Sequence, residues 1–522
     1  MFFAKDFSAA LLIVTASILG ATTGKAASKP ATPLICDVHS YGAQGDGTVL
    51  DTRAINAAIS DCSARTDNNK QAIVRLSAGI YRSGTIYFQD NIDLDLADGA
   101  TILASDNLAD YPRMTHASEW RDTALLIAEN RKNIALTGRG TIDGNGRAFV
   151  SKVQERWKPS FDVEKTRQGS AWADRMSLLK EGPLTMALRP GVLFVALHVE
   201  GLRIEDIHIV DSPNWTVKIG CSRHIRVHNI DIRNNLLIPN NDALDISTSN
   251  DAIVDGGYLQ AGDDAIVIGG PCLDGWCQEP TFNVIVKNLT LVSRSAAIRV
   301  GPAARGVHDV HFTQIKIRDS NRGILLHTRT NETVENITFD HIDIATRLID
   351  GPWWGAGEPI SIGVALSDYV SWPKVTTLGF VRHIRFSHIK TASGSPIVLY
   401  GMEPGHISDI RFQDLAVQML VDPLATVLGG NLDLQPTTPI NFGVQQWDMP
   451  AIYLHNVDHL YFDDLHIRWQ GEFPDFYTNA IEADGFDGLN IEHFQGTGSP
   501  ADGRRPLKPT FSFKNGTNLH SR

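Results

Sequence analysis

The residues best suited to chemistry lie between Asn240 and Ile268, where two acidic clusters stand close together. Asp242 is followed by Asp245, and Asp263 by Asp264. Asp263 comes 21 residues after Asp242, and each cluster runs into a short apolar segment, Leu244 to Ile246 and Ala265 to Ile268. A backbone wound in coils of that length stacks the clusters one rung apart, at ~4.8 Å. Carboxylates gathered on one face with room for water are what acid/base cleavage of a glycosidic bond requires. The competing reading is that such aspartates cap turns or bind calcium.

The elements that must position these groups repeat along the chain. An apolar residue, two or three polar ones, then alternating Ile/Leu/Val with Asp, His or Arg recur from Asn133, Leu202, Ile225, Val284, Val307, Val334, Val381, Ile407 and Val457. Period-two alternation renewed every ~20 to 30 residues, without amphipathic helices between, predicts an all-β parallel solenoid. Inward Ile, Leu and Val stack coil on coil, and outward Asp, His and Arg form faces, one of them a substrate groove. Ahead of the repeats, Thr52 to about Ser63 predicts a helix with Ala54, Ile55, Ala58 and Ile59 on one face, a cap for the first coil. This gives one solenoid domain over 27–498, with its cap at about 36–105 and the acidic coils at about 200–345. Loop insertions are expected at about 147–181 and 351–372, and a polar tail at 499–522.

Bulk properties narrow the functional classes. The 522 residues are 43% hydrophobic with 44 glycines, ordinary for a turn-rich soluble chain, and the net charge of −12 argues against a nucleic-acid partner. Lys5, an apolar run from Ala9 to Gly20 and small residues before Ala26 read as a signal peptide over 1–26. A secreted or periplasmic protein without stable membrane insertion is expected, and monomeric, since a capped solenoid needs no partner at its ends. In an exported chain the cysteines can pair. Cys36 with Cys62 and Cys272 with Cys277 are the expected disulfides, leaving Cys221 in the core. No cysteine has metal-site spacing, and the chemistry calls for neither metal nor cofactor.

Several ordered motifs resemble those of the polygalacturonase-type glycoside hydrolases of family 28, which are right-handed parallel β-helices. They are YGAQGDG at Tyr41, GRGTIDGNG at Gly138, RP at Arg189, DSPNW at Asp211, NNDALDIS at Asn240 and AGDDAIVI at Ala261. The likeness spans roughly Asp37 to Ile344. It implies inverting hydrolysis of a polysaccharide or oligosaccharide, with Asp263 as general acid and Asp242 and Asp264 activating water. Asp245 reads as a structural neighbour of these three.

The chain also departs from that family. Ser295, Ala296 and Ala297 stand where the family has Gly-His-Gly, and Leu325 and His327 where its Arg-x-Lys binds the substrate carboxylate. Plain polygalacturonan is therefore a poor expectation, and rhamnogalacturonan-like, substituted pectic or related glycans are better ones. Candidate replacements for substrate binding are His327, Arg299 and Arg322, with Arg294 nearby, and Trp353 and Trp354 beside Glu358 as a stacking platform with a polar contact. Two alternatives stay open: a calcium-using polysaccharide lyase or epimerase, and an inactive carbohydrate-binding β-helix.

Overall fold

The computed structural model describes residues 33–66, 70–114, 122–152, 162–177, 180–270, 277, 279–303, 305–329, 331–367, 376–435, 443–500 and 506–521. The expected signal peptide lies outside them. Among the described residues thirty strands join in one network of parallel pairings, each coil hydrogen-bonded to the next, as a right-handed parallel β-helix. The register is set by apolar residues that stack inward. Val217 pairs with Leu244, Leu244 with Ile266, Ile266 with Ile298, Ile298 with Ile324 and Ile324 with Ile360. Since a slip of one residue would turn every inward side chain outward, burial enforces this register.

The strands that carry the site are β1 (Val217–Gly220), β2 (Leu244–Ser247), β3 (Ile266–Ile268), β4 (Ala296–Val300), β5 (Arg322–Thr328), β6 (Ile360–Val364) and β7 (Ile397–Gly401). Another face stacks Phe312, Phe339, Phe386, Phe412 and Phe462 inside the coils. Their ring centroids lie 4.6–5.0 Å apart and the planes within 13°. Each ring is buried, worth ~1.5–3 kcal/mol.

Many outward polar residues turn corners instead of lining a groove. Asn229 and Asn288 adopt left-handed φ of 49° and 60°, which Asn tolerates better than most residues. Their amides donate to Asp206 and Asp255 on the preceding coils, at 2.8 and 2.7 Å.

Helix α1 (Thr52–Arg65) covers the first coil with Ala54, Ile55, Ala58 and Ile59 buried beneath it. Cys36 is bonded to Cys62 as expected. The second expectation is corrected: Cys221 is not left over but bonded to Cys277, across the loop that follows β3. Cys272 lies outside the described residues. The expected tail is also corrected, because Phe511–Ser521 pairs in parallel with Ile481–Glu492 as one more rung. Within the first insertion α2 (Ser170–Ser177) forms, and Trp172 packs with Leu348, Leu428 and Val444. Farther on, a two-stranded hairpin of β8 (Asn431–Asp433) and β9 (Val444–Gln446) precedes the long strand β10 (Ile452–Gln470).

Candidate active site

Asp242 and Asp264 immediately precede the apolar rungs β2 and β3, where parallel pairing fixes their backbones. Thr216 N–H donates to the Asp242 carbonyl at 2.8 Å, and Ala243 N–H to the Asp264 carbonyl at 3.0 Å. Asp242 therefore lies opposite Asp264 on neighbouring coils, with Asp263 beside them. One carboxylate oxygen from each of the three lies within 4.8 Å of the others. Buried asparagines shape the turn ahead of β2. Asn241 Oδ1 accepts from Gly262 N–H at 2.6 Å, and Asn234 Nδ2 donates to the Asn241 carbonyl at 2.8 Å. Arg189, in the RP motif, donates to the carbonyls of Pro213 and Pro239 and to Asn240 Oδ1, tying two coils beside Asp242.

Burial and crowding of like charges dominate the electrostatics. Asp263 is pushed up to about 7, by desolvation first and then by Asp264, opposed by Arg299 and by a hydrogen bond from Ser295. Desolvation, then Asp263, Asp245 and Asp264, lifts Asp242 well above the usual carboxylate range. Such a cluster keeps a proton near neutrality, as a general acid must. Arg299, pointing outward from β4, supplies the counter-charge, its Nη1 2.5 Å from Asp264 Oδ2. Ala296 N–H donates to Asp264 Oδ1 at 2.9 Å. The coil that lacks the family's histidine thus still serves the aspartates through a hydroxyl, a backbone amide and a guanidinium. Asp245 is buried in register with Lys218 and Arg299; Lys218 Nζ lies 4.0 Å from it and donates to Ser247 Oγ at 2.9 Å.

The remaining candidates separate by their partners. Arg322, at the start of β5, donates to Glu358, just ahead of β6, at 3.2 Å and to the Asp433 carbonyl at 2.6 Å. Both side chains are buried and paired beneath the hairpin, away from solvent. His327 is buried too, and burial followed by Arg329 holds its pKa well below the ordinary value. Its Nδ1 faces the Arg329 guanidinium, which only donates, so the proton sits on Nε2 and points to Ser361 Oγ at 3.2 Å. His327 is thus bonded to Arg329 on one ring nitrogen and faces Ser361 on the other. Arg294 is drawn away by Asp319 and Glu181. Trp353 is buried with its indole N–H on the Glu181 carbonyl at 2.7 Å, whereas Trp354 is half-buried. Any aromatic platform therefore falls to Trp354.

Sequence reasoning missed Ser295 as a donor, Lys218 and Arg329. The signal for Arg329 was present, two positions after His327 and just past the end of β5.

The three aspartates could also hold a cation. Among the described residues so could Asp340 with His341 and His388, and Asp463 with Glu492 and His493. Calcium takes six to eight oxygens, and the guanidinium on Asp264 already occupies the position facing that carboxylate.

Known proteins share parts of this sequence and its fold. Residues 96–350 match the family described as Glycosyl hydrolases family 28, and residues 35–155 match Rhamnogalacturonase A/epimerase, pectate lyase-like. The first of these matches takes in just under half of the chain, including all three aspartates. The chain is similar to the Exo-poly-alpha-D-galacturonosidase of Dickeya chrysanthemi, 27% identical over 54% of this chain and 50% of that protein. A Probable polygalacturonase of Vitis vinifera is 26% identical over 56% of this chain and 58% of its own. The chain thus spans only a half to three-fifths of these relatives. In fold it is similar to the family 28 exopolygalacturonase of Yersinia enterocolitica, with a TM-score of 0.60 and 15% identity over 94% of this chain and 79% of that one. No helix among the described residues is long and apolar enough to cross a membrane.

Proposed function

We propose that this chain is an exported, cofactor-independent glycoside hydrolase of family 28 that cleaves a pectin-type or related cell-wall glycan by acid/base hydrolysis. The observation that carries the reading is the set of three aspartates on adjacent coils, one of them titrating near neutrality beside a guanidinium counter-charge. Asp263 gives its proton to the glycosidic oxygen as the bond to the anomeric carbon breaks. Asp242 and Asp264, opposite one another, orient a water whose oxygen bonds to that carbon, and one of them takes the water's proton. One water is consumed per bond and no other reactant is needed. Arg299 and Ser295 hold the carboxylates in place. The site offers no Arg-x-Lys pair, and His327 is committed to Arg329, so a substrate other than plain polygalacturonan is favoured.

The test is digestion of polygalacturonan, rhamnogalacturonan, xylogalacturonan and other plant polysaccharides by wild type and Asp263→Asn. New reducing ends and ultraviolet absorbance of unsaturated sugars are followed together. Saturated products that disappear in the variant are expected. Unsaturated products that require calcium would place the chain among lyases instead, and binding without cleavage would make it a carbohydrate-binding helix.

A further inference from the structure

Among the described residues, packed apolar clusters cover the sheet face on either side of the aspartates along the helix axis. We infer that the enzyme acts on chain ends and short oligosaccharides and does not cut within long chains. The inference rests on the hydrolase reading above.

On the C-terminal side, β8 and β9 lie across the face that bears the carboxylates. Arg299 stands in one outward column with Leu325, Ser361, Val398 and Tyr453. Val398 and Tyr453 nonetheless are buried, because Leu432 and Leu434 of the hairpin segment pack against them. Three arginines hold this segment by its carbonyls. Arg322 donates to Asp433 at 2.6 Å, Arg329 to Gln435 at 2.7 Å, and Arg167 to Gly430 and Trp447 at 3.2 and 2.9 Å. Charged donors on fixed carbonyls make a built wall. Arg322 starts β5, two rungs beyond the coil of Asp264, so the wall begins ~10 Å from the carboxylates. His327 supports it by accepting from Arg329. Residues at and near the positions expected to read the sugar therefore anchor a barrier.

On the N-terminal side the same outward column continues from Asp245 through Lys218 to Val195 and Ile127. Val195 and Ile127 are buried in an apolar cluster with Trp215 and Met114. One flank is closed by Trp172, Leu348, Leu428 and Val444. A polymer lying along the sheet would need a continuous exposed trough through these positions.

The test uses the wild-type protein on whichever polysaccharide of the panel it cuts, and on a length series of oligomers of that glycan. Viscosity and reducing ends are recorded together, and early products are sized by mass spectrometry. Mono- or short oligosaccharides from the first minutes, with viscosity lagging far behind reducing ends, are expected, with higher turnover per chain end on oligomers. A sharp early fall in viscosity with long fragments would overturn the inference and leave the hydrolase intact. No cleavage of any glycan would overturn both. Replacing residues 431–446 by a short linker, or the milder Arg167→Ala, should lengthen the early products if the hairpin is the barrier. Unchanged short products from a folded linker variant would remove the hairpin from the argument.

Discussion

Arg299 Nη1 sits 2.5 Å from Asp264 Oδ2, reaching from one coil to its neighbour. This one cation serves all four aspartates, each of which raises its pKa against the opposing effect of burial. It also opposes the upward shift of Asp263. Removing it in Arg299→Gln leaves the acid harder to deprotonate and the water-binding carboxylate without its counter-charge. A fall in kcat on the order of 10²-fold is expected, with the alkaline limb of the pH–rate profile displaced to higher pH. An unchanged profile would show that Arg299 contributes through packing alone.

Asp263→Asn retains shape and removes the transferable proton. Loss of roughly 10²- to 10⁴-fold in kcat is expected, with circular dichroism and oligosaccharide affinity preserved. In wild type the rate should fall as pH rises through about 7, where Asp263 ionises. A variant of near-normal activity would pass the acid role to another group.

The same shift predicts a stability signature. Asp263 has a folded pKa of about 7 against an ordinary 3.8, so the folded state binds the proton more tightly. Its stabilising contribution is complete below about 3.8 and is lost as pH rises through 7. Asp263→Asn has no such proton to lose. Its Tm relative to wild type should therefore rise between pH 5 and pH 8, measured by calorimetry; a constant difference would mean that Asp263 ionises freely in the native protein.

The Arg322–Glu358 pair separates structural from substrate-binding roles. Both side chains are buried and mutually bonded, and burial raises the Glu358 pKa against the pull of Arg322. Removing one partner leaves a buried charge, so Arg322→Met should destabilise by about 3–5 kcal/mol. The double variant with Glu358→Gln should lose less than the sum of the two single losses. A large rise in KM with stability untouched would return Arg322 to the substrate.

The fold was legible because period-two alternation and its renewal follow directly from inward burial on stacked coils. The helix under Ile55 and Ile59 and the aspartate cluster were legible for the same reason, since spacing alone places them. Spacing did not show which outward residues turn corners. Asn229 and Asn288 look like any polar residue until their left-handed φ is known. Nor could it show where the hairpin at 431–446 returns. Arg322 meets Asp433 across 111 positions of chain, and that contact decides that Arg322 holds a wall. The Cys221–Cys277 bond was missed for a like reason, being a contact between coils where the local pair looked simpler.

The stereochemistry of cleavage gives the last prediction. Carboxyl groups about 5–5.5 Å apart suit a retaining mechanism, and a gap of about 6.5–9.5 Å leaves room for water in an inverting one. Here the nearest oxygens of all three lie within 4.8 Å, which by that rule favours retention. The rule concerns two carboxylates on opposite faces of a sugar, whereas these three share one side of a sheet, Asp242 opposite Asp264 with Asp263 adjacent. Water can then be held between the in-register pair while Asp263 protonates from the side, and no nucleophilic carboxylate need reach the anomeric carbon. Inversion is therefore expected, and proton NMR of the first product before mutarotation reads it directly. An initial anomer identical to that of the substrate would instead make one aspartate of the pair a nucleophile. The close spacing would then be the geometry of a covalent glycosyl intermediate, trappable with a slowly hydrolysed fluorinated sugar.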